Sequence, residues 1–134
     1  MKPLLIDETN STPQVIFDIK NSHFEIKGCS RPENVRHFFL PIVEWLEGFC
    51  TEAPLHVEHF KENPVVFKFK LSYFNSASAK FILDILLLIN KIYMSDINTA
   101  IDWFYEEGDE DMLDVGTELS EMVDFNFRYI ETKM

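Results

Sequence analysis

The stretch VVFKFKLSYFNSASAKFILDILLLINKIYM, residues 65–94, decides the fold. In its first part apolar residues alternate with polar ones, which predicts a β-strand with one buried face. The apolar positions of that face are Phe67, Phe69, Leu71 and Tyr73. From Ala77 onward the spacing predicts a helix of about five turns with a narrow polar side. Strand and helix meet in the small, hydroxyl-rich junction Asn75-Ser76-Ala77-Ser78.

Similar patterns lie on both sides of this unit. Two alternating runs, QVIFDIK and SHFEIKG, predict a hairpin across residues 14–28. Helical spacing follows, and because Pro41 must start or kink a helix, we expect the main helix from about Leu40. The polar segment 51–63, which ends at Pro64, predicts a loop or an irregular entry into the next strand. A further strand, helix and strand are predicted within NTAIDWFYEE, DEDMLDVGTELSEMV and FNFRYIE.

The predicted order is therefore ββαβαβαβ. Strand–helix–strand passages of this length allow right-handed crossovers, so we expect a mixed sheet of the α+β class. The strands have one apolar and one partly charged face, which places the helices mainly on one side of the sheet. Residues 1–13, polar and ending in Pro13, predict a flexible N-terminal arm, and residues 14–134 predict a single domain.

The charge and the apolar runs restrict the possible partners. The formal net charge of −11 repels phosphate backbones and anionic lipids, so we expect no nucleic-acid partner. The most apolar run, 81–89, is far shorter than the roughly 20 residues that span a bilayer, and the N-terminus lacks a secretory pattern. We expect no membrane insertion and a cytoplasmic protein with reduced thiols at Cys29 and Cys50.

The acidic segment EEGDEDMLD, residues 106–114, offers the competing hypothesis of an enzyme. Its carboxylates suit a metal-dependent hydrolase that would use Glu106, Glu107, Asp109 and Asp111. The spacing is wrong for a calcium loop, and acidic residues also stabilise a helix start. The HVEH pair, His56 and His59, lacks further ligands for zinc. We expect no metal and no cofactor, because no phosphate-binding or nucleophile motif occurs.

The junction at the start of the long helix supports two interpretations. Asn75 and Ser76 are both good N-cap residue types. A helix start also accommodates a phosphate, because unpaired N–H groups and the positive end of the dipole face it. Ala77 and Ala79 leave the neighbouring hydroxyls open to a kinase. The residues alone therefore favour a helix cap, with a functional serine as the alternative, and the two roles are compatible at Ser76.

Three strings resemble the SiaC family of bacterial regulatory phosphoproteins, formerly a domain of unknown function. They are SRPENVRHFFLPIVEWLEGF, LSYFNSASAKFILDIL and IDWFYEEGDEDMLDVGTELSEMVDFNFRYIE, in this order, and the likeness covers roughly Gln14 to Glu131. The resemblance implies a fold like that of anti-sigma-factor antagonists (STAS, SpoIIAA-like). It also implies a non-enzymatic partner-switching role. A Ser/Thr protein kinase modifies one hydroxyl, a PP2C-type phosphatase restores it, and the unmodified form activates a diguanylate cyclase that makes cyclic di-GMP for biofilm control.

The same resemblance points to particular residues. In the family the phosphate acceptor directly follows the Asn of the tyrosine-containing strand end, which here is Ser76. The family pattern of Thr followed by two Ser is replaced by Ser76-Ala77-Ser78, which makes Ser78 the runner-up acceptor. The partner-binding surface then comprises Tyr73, Asn75, Ser76, Ser78 and Lys80. A plain interaction module without phosphorylation is the remaining alternative.

Overall fold

Six strands form one sheet, in chain order from β1 to β6, in the computed structural model, which describes residues 1–133. The strands are β1 (Leu4–Ile6), β2 (Gln14–Asp18), β3 (His23–Ser30), β4 (Val65–Phe74), β5 (Thr99–Glu106) and β6 (Arg128–Thr132). The first three pair antiparallel, and β3 to β6 pair parallel. The helices are α1 (Val35–Glu52), α2 (Val57–Glu62), α3 (Ser76–Met94) and α4 (Glu110–Val123).

The helices lie on one side of this sheet. Each parallel strand is placed beside its predecessor in the same direction, so right-handed crossovers put α1, α3 and α4 on the same face. Phe67 stands opposite Phe24 and Ile101, and all three side chains are buried under the helices. The other face carries the charged residues of the alternation, such as Lys68. The mixed sheet and the one-sided helix layer that the sequence predicts are confirmed.

Aromatic packing holds the helix layer on the sheet. Trp103 of β5 stacks between Phe69 and Phe127, with ring centroids 5.7 and 5.8 Å away. Its indole N–H donates to the carbonyl of Met112 in α4 at 2.9 Å, which ties that helix to the strand before it. Offset aromatic contacts of this kind stabilise a core beyond the area they bury.

The N-terminal segment differs from the predicted flexible arm of residues 1–13. Leu4–Ile6 pairs antiparallel with β2 as an edge strand, and the Trp45 indole donates to the carbonyl of Lys2 at 2.9 Å. A three-residue strand is too short to show a pattern by itself. Its position depends on pairing with the edge of β2. No local sequence pattern indicates such a pairing.

The first helix begins earlier than predicted. It starts at Val35, capped by Asn34, whose side-chain oxygen accepts the amide hydrogen of His37 at 3.0 Å. Pro41 lies inside the helix with its ring on the exposed side, so the helix continues past it at the cost of one backbone hydrogen bond. The predicted loop 51–63 is also wrong. It contains the end of α1, a 3₁₀ turn (Ala53–His56) and α2, anchored by buried Phe60.

Candidate functional site at the start of helix α3

The residues singled out in the sequence lie at the carboxyl edge of the sheet. The parallel strands β3, β4 and β5 all end at this edge, and α1, α3 and α4 all begin there. Side chains from three separate segments are brought together by this topology. Ser76, the first residue of α3, lies in the middle of the three helix starts, because β4 stands between β3 and β5.

Asn75 is the residue that caps α3. Its backbone is extended, with φ −82° and ψ 172°, and its side-chain oxygen accepts the Ser78 amide hydrogen at 2.8 Å. The Asn75 carbonyl accepts the first helical hydrogen bond, from Ala79, at 2.9 Å. The expectation that Ser76 is itself the cap is therefore wrong. Asparagine one position earlier already satisfies the amide that a serine cap would bind.

Ser76 and Ser78 lie in the same helical turn but in opposite surroundings. Ser76 is exposed, whereas Ser78 is completely buried. The Ser78 hydroxyl donates to the carbonyl of Ser30 at 3.1 Å and accepts from the Ser30 hydroxyl at 2.9 Å. That same carbonyl also accepts the Asn75 amide hydrogen at 3.1 Å. The end of β3 thus fixes the first turn of α3 and leaves Ser76 as the exposed serine of that turn.

A bulge in β4, where Ser72 is the extra residue opposite β3, makes this arrangement possible. Pairing with β4 shifts by one residue between Gly28 and Cys29, after which Ser30 stands opposite Phe74. Gly28 has φ +123°, a conformation that favours glycine, and the Glu8 side chain lies where a Cβ would be. Sequence reasoning missed Ser30, because its contact with Ser78 spans 48 residues and depends on this register shift.

The other predicted partner-binding residues share the surface of Ser76. Tyr73 is 52% exposed at the end of β4, and Lys80 is exposed one helical turn after Ser76. Asn75 is half-buried by its capping role. The structure therefore brings four of the five predicted residues to one surface and places Ser78 beneath it.

A cleft of about 370 Å³ adjoins this surface on the side of α4. Its lining combines apolar side chains with two carboxylates. The lining residues are Ser72, Tyr73, Phe74, Asp109, Asp111, Met112 and Val115. Local sequence patterns do not predict this cleft, since it forms between a strand end and a helix start about 35 residues apart.

The acidic segment caps and stabilises the start of α4. The side chain of Asp109 accepts the Met112 amide hydrogen at 3.1 Å, and Glu110 and Asp111 occupy the first turn, where the helix dipole favours negative charge. Within residues 1–133, no group of three or more His, Cys, Asp or Glu side chains is placed to hold a metal ion. The residues proposed for a metal-dependent hydrolase, Glu106, Glu107, Asp109 and Asp111, thus do not converge on a metal.

The cysteines add no nucleophile to the site. Both are free thiols, and burial raises the pKa of Cys50, which holds it in the unreactive protonated form. Cys29 lies opposite Tyr73, just after the register shift between β3 and β4, and is half-buried. Among the helices that the structure describes, up to residue 133, none combines the length and the apolar character needed to cross a membrane.

Comparisons with known proteins agree with this geometry. The family model described as SiaC family regulatory phosphoprotein matches residues 6–132. A relative described as an uncharacterized protein of Pseudomonas aeruginosa (strain UCBPP-PA14) is 27% identical over 127 residues, and the match covers 95% of this chain and 94% of the relative.

Two solved structures from Pseudomonas aeruginosa share the fold. Apo-SiaC is 25% identical with a TM-score of 0.78, and the match covers 98% of this chain and 99% of that chain. The second is the diguanylate cyclase SiaD in complex with its activator SiaC, with 25% identity, a TM-score of 0.80 and the same coverage.

Proposed function

Because the chain belongs to the SiaC family of regulatory phosphoproteins, we propose that it is a partner-switching protein controlled by phosphorylation of Ser76. The unmodified form binds and activates a diguanylate cyclase in the cytoplasm, as an activator of cyclic di-GMP synthesis in biofilm control. A Ser/Thr protein kinase adds the phosphate and a PP2C-type phosphatase removes it. The chain itself is a regulator rather than an enzyme.

One observation carries the assignment to Ser76. Of the two serines in the first turn of α3, Ser76 is exposed, while Ser78 is fully buried and bonded to Ser30 through both its hydrogen and its oxygen. A kinase must bring the hydroxyl oxygen in line with the γ-phosphate of ATP, which needs an accessible side chain. Ser78 would have to leave the core first, so burial argues against the runner-up.

The surroundings of Ser76 also suit the phosphorylated state. The first amides of a helix lack intrahelical acceptors, and Asn75 satisfies only that of Ser78. The amides of Ser76 and Ala77 remain for a phosphate, which helix starts stabilise. The added charge of about −1.5 to −2 would then sit on the surface formed by Tyr73, Ser76 and Lys80. Docking of the cyclase on that surface is weakened by the new charge and its desolvation.

The proposed class of effector is supported by one of the solved structures. SiaC of Pseudomonas aeruginosa is described as the activator of the diguanylate cyclase SiaD, and the shared fold spans nearly the whole of both chains. The same class of effector is therefore proposed for this chain.

The test combines a kinase reaction with a cyclase assay. The Ser/Thr kinase from the same genome is incubated with wild type, Ser76→Ala and Ser72→Ala, and intact masses are recorded. Ser72 is a matched control, because it is an exposed serine four residues earlier. We expect one phosphate on wild type and Ser72→Ala and none on Ser76→Ala. The unmodified wild type is expected to stimulate cyclic di-GMP synthesis by the cyclase from the same genome.

Two results would redirect this proposal. Unchanged phosphorylation of Ser76→Ala would remove the assignment to Ser76. Stimulation of the cyclase that is equal before and after complete phosphorylation would favour the plain interaction module.

A further inference from the structure

Three exposed cations surround Ser76. Arg31 directly follows the end of β3, Arg36 lies in the first turn of α1, and Lys80 lies one turn beyond Ser76 in α3. The Ser30 carbonyl bonds the Asn75 amide at 3.1 Å, so the segment that carries Arg31 touches the start of α3. We call these three residues the cationic border.

The packing of α1 on α3 brings the second cation to the same level. Phe39 of α1 stacks on Phe81 of α3, with ring centroids 5.3 Å apart and nearly parallel planes. Each of these residues lies about one turn into its helix, so the two helix starts stand side by side. Arg36 is therefore presented on the same edge as Ser76.

The cationic border is not used within the fold. Within residues 1–133, none of the three cations forms an ion pair with a carboxylate. The cationic side chains that do are His23, His56, Lys61, Lys70 and Arg128. Neither α1 nor α3 has an acidic residue in its first turn, whereas α4 has Glu110 and Asp111. A helix dipole disfavours a cation at its start, so Arg36 stands where stability alone would not place it.

Apolar side chains lie beside these charges. Leu40, one turn after Arg36, is 42% exposed, and Tyr73 is 52% exposed at the adjoining strand end. Exposed apolar and aromatic residues next to free cations are typical of a protein docking surface. Within residues 30–36 and 76–80 these cations outnumber the one acidic residue, exposed Glu33, and in a chain with a net charge of −11 such a local excess of positive charge favours an anionic partner.

We propose that the cationic border binds an acidic segment of the effector protein, with Leu40 receiving an apolar side chain of that segment. This inference rests on the proposed function and names the chemistry of the partner. It also explains the direction of the switch. A phosphate on Ser76 precedes Lys80 by four residues, a favourable spacing for an ion pair, and it neutralises the same cations that the effector's carboxylates need.

The test measures affinity for the cyclase from the same genome by calorimetry, with the full unmodified chain. The variants are the double substitution Arg36→Gln/Lys80→Gln and the control Lys91→Gln. Lys91 is an exposed cation in the last turn of α3 that forms none of the ion pairs above. Thermal unfolding by circular dichroism verifies that each variant is folded.

We expect the double variant to bind about tenfold more weakly at about 50 mM salt and the control to bind like wild type. The wild-type affinity should fall at about 200 mM salt, and the double variant should depend less on salt. Equal affinity of wild type and double variant would overturn the inference and leave the proposed function intact. Failure of the wild type to bind at either salt concentration would overturn both. Wild-type dimers that the double variant does not form, detected by light scattering, would assign the surface to a second copy instead.

Discussion

The Ser30 hydroxyl donates a hydrogen bond to the Ser78 hydroxyl at 2.9 Å, joining two fully buried residues that are 48 positions apart. The contact fastens the end of β3 to the first turn of α3. The two serines of this turn therefore have different roles. The buried Ser78 side chain anchors the turn, and the Ser76 side chain is exposed.

Replacing Ser78 by alanine should destabilise the fold without removing the acceptor. The change leaves the buried Ser30 hydroxyl without its partner, which costs about 1–3 kcal/mol. Ser76→Ala, on the exposed side of the same turn, should change the free energy of unfolding by less than about 0.5 kcal/mol. Urea denaturation of both variants measures the difference. Equal effects of the two substitutions would contradict the division of roles.

Replacing Asn75 by alanine tests the cap. Its side chain satisfies the Ser78 amide at 2.8 Å, so Asn75→Ala should lower the free energy of unfolding by about 1 kcal/mol. Asn75→Asp keeps the accepting oxygen and should lose much less. Thermal unfolding followed by circular dichroism gives the comparison, and a full loss in Asn75→Asp would show that capping is not the main role of this side chain.

Two helical glycines should respond to alanine in opposite ways. A Cβ at Gly116 would overlap the Trp103 indole, so Gly116→Ala should cost about 1–3 kcal/mol and alter the tryptophan fluorescence. At Gly48 the added Cβ meets only the flexible end of Met1, at 3.2 Å, and alanine is the better helix former. Gly48→Ala should therefore be neutral or stabilising. Similar unfolding curves for the two variants would contradict the packing described for α4.

The ion pair of Lys70 with Glu25 predicts a pH-dependent stability. Burial by itself raises the pKa of Glu25, but the hydrogen bond and charge of Lys70, at 2.9 Å, outweigh it, and the net pKa lies below the usual glutamate value. A lowered pKa in the folded state contributes stability above the unfolded pKa of about 4.3, and this contribution is lost as the pH falls through the folded value.

Lys70→Met should therefore destabilise the protein by about 1–2 kcal/mol at pH 7, less than for a fully buried pair because Lys70 remains a third exposed. The difference from wild type should shrink as the pH falls past the unfolded glutamate value of about 4.3 and through the lowered pKa of Glu25 in the wild type, because Glu25 without Lys70 takes up a proton first. Urea denaturation at a series of pH values measures it. A difference that stays constant with pH would show that the loss comes from packing on Phe104 alone, over whose ring the Lys70 ammonium lies at 5.0 Å.

Much of this fold could be predicted from periodicity. The alternation Phe67, Phe69, Leu71 gave β4, and the apolar run after Ala79 gave α3, because each pattern reflects one buried face. The parts that could not be predicted depend on distant contacts. β1 exists only as an edge pair of β2, and α1 passes through Pro41 because its apolar face is already buried on the sheet.

The candidate site could likewise be predicted only in part from the sequence. Local sequence placed Ser76, Asn75 and Lys80 at a helix start, and the family resemblance singled out Ser76. Neither gave the burial of Ser78, since that depends on the register shift that brings Ser30 opposite Phe74. The sequence-based expectation places the cap at Ser76, whereas Asn75 caps the helix. Asn75 and Ser76 are equally good caps by residue type, and only the backbone angles distinguish them.

The most direct test of the switch compares two forms of one protein. The wild-type chain, unmodified and stoichiometrically phosphorylated by the kinase from the same genome, is titrated into the diguanylate cyclase by calorimetry. The account predicts tight binding of the unmodified form and binding at least about tenfold weaker after phosphorylation of Ser76. Equal or tighter binding of the phosphorylated form would contradict it.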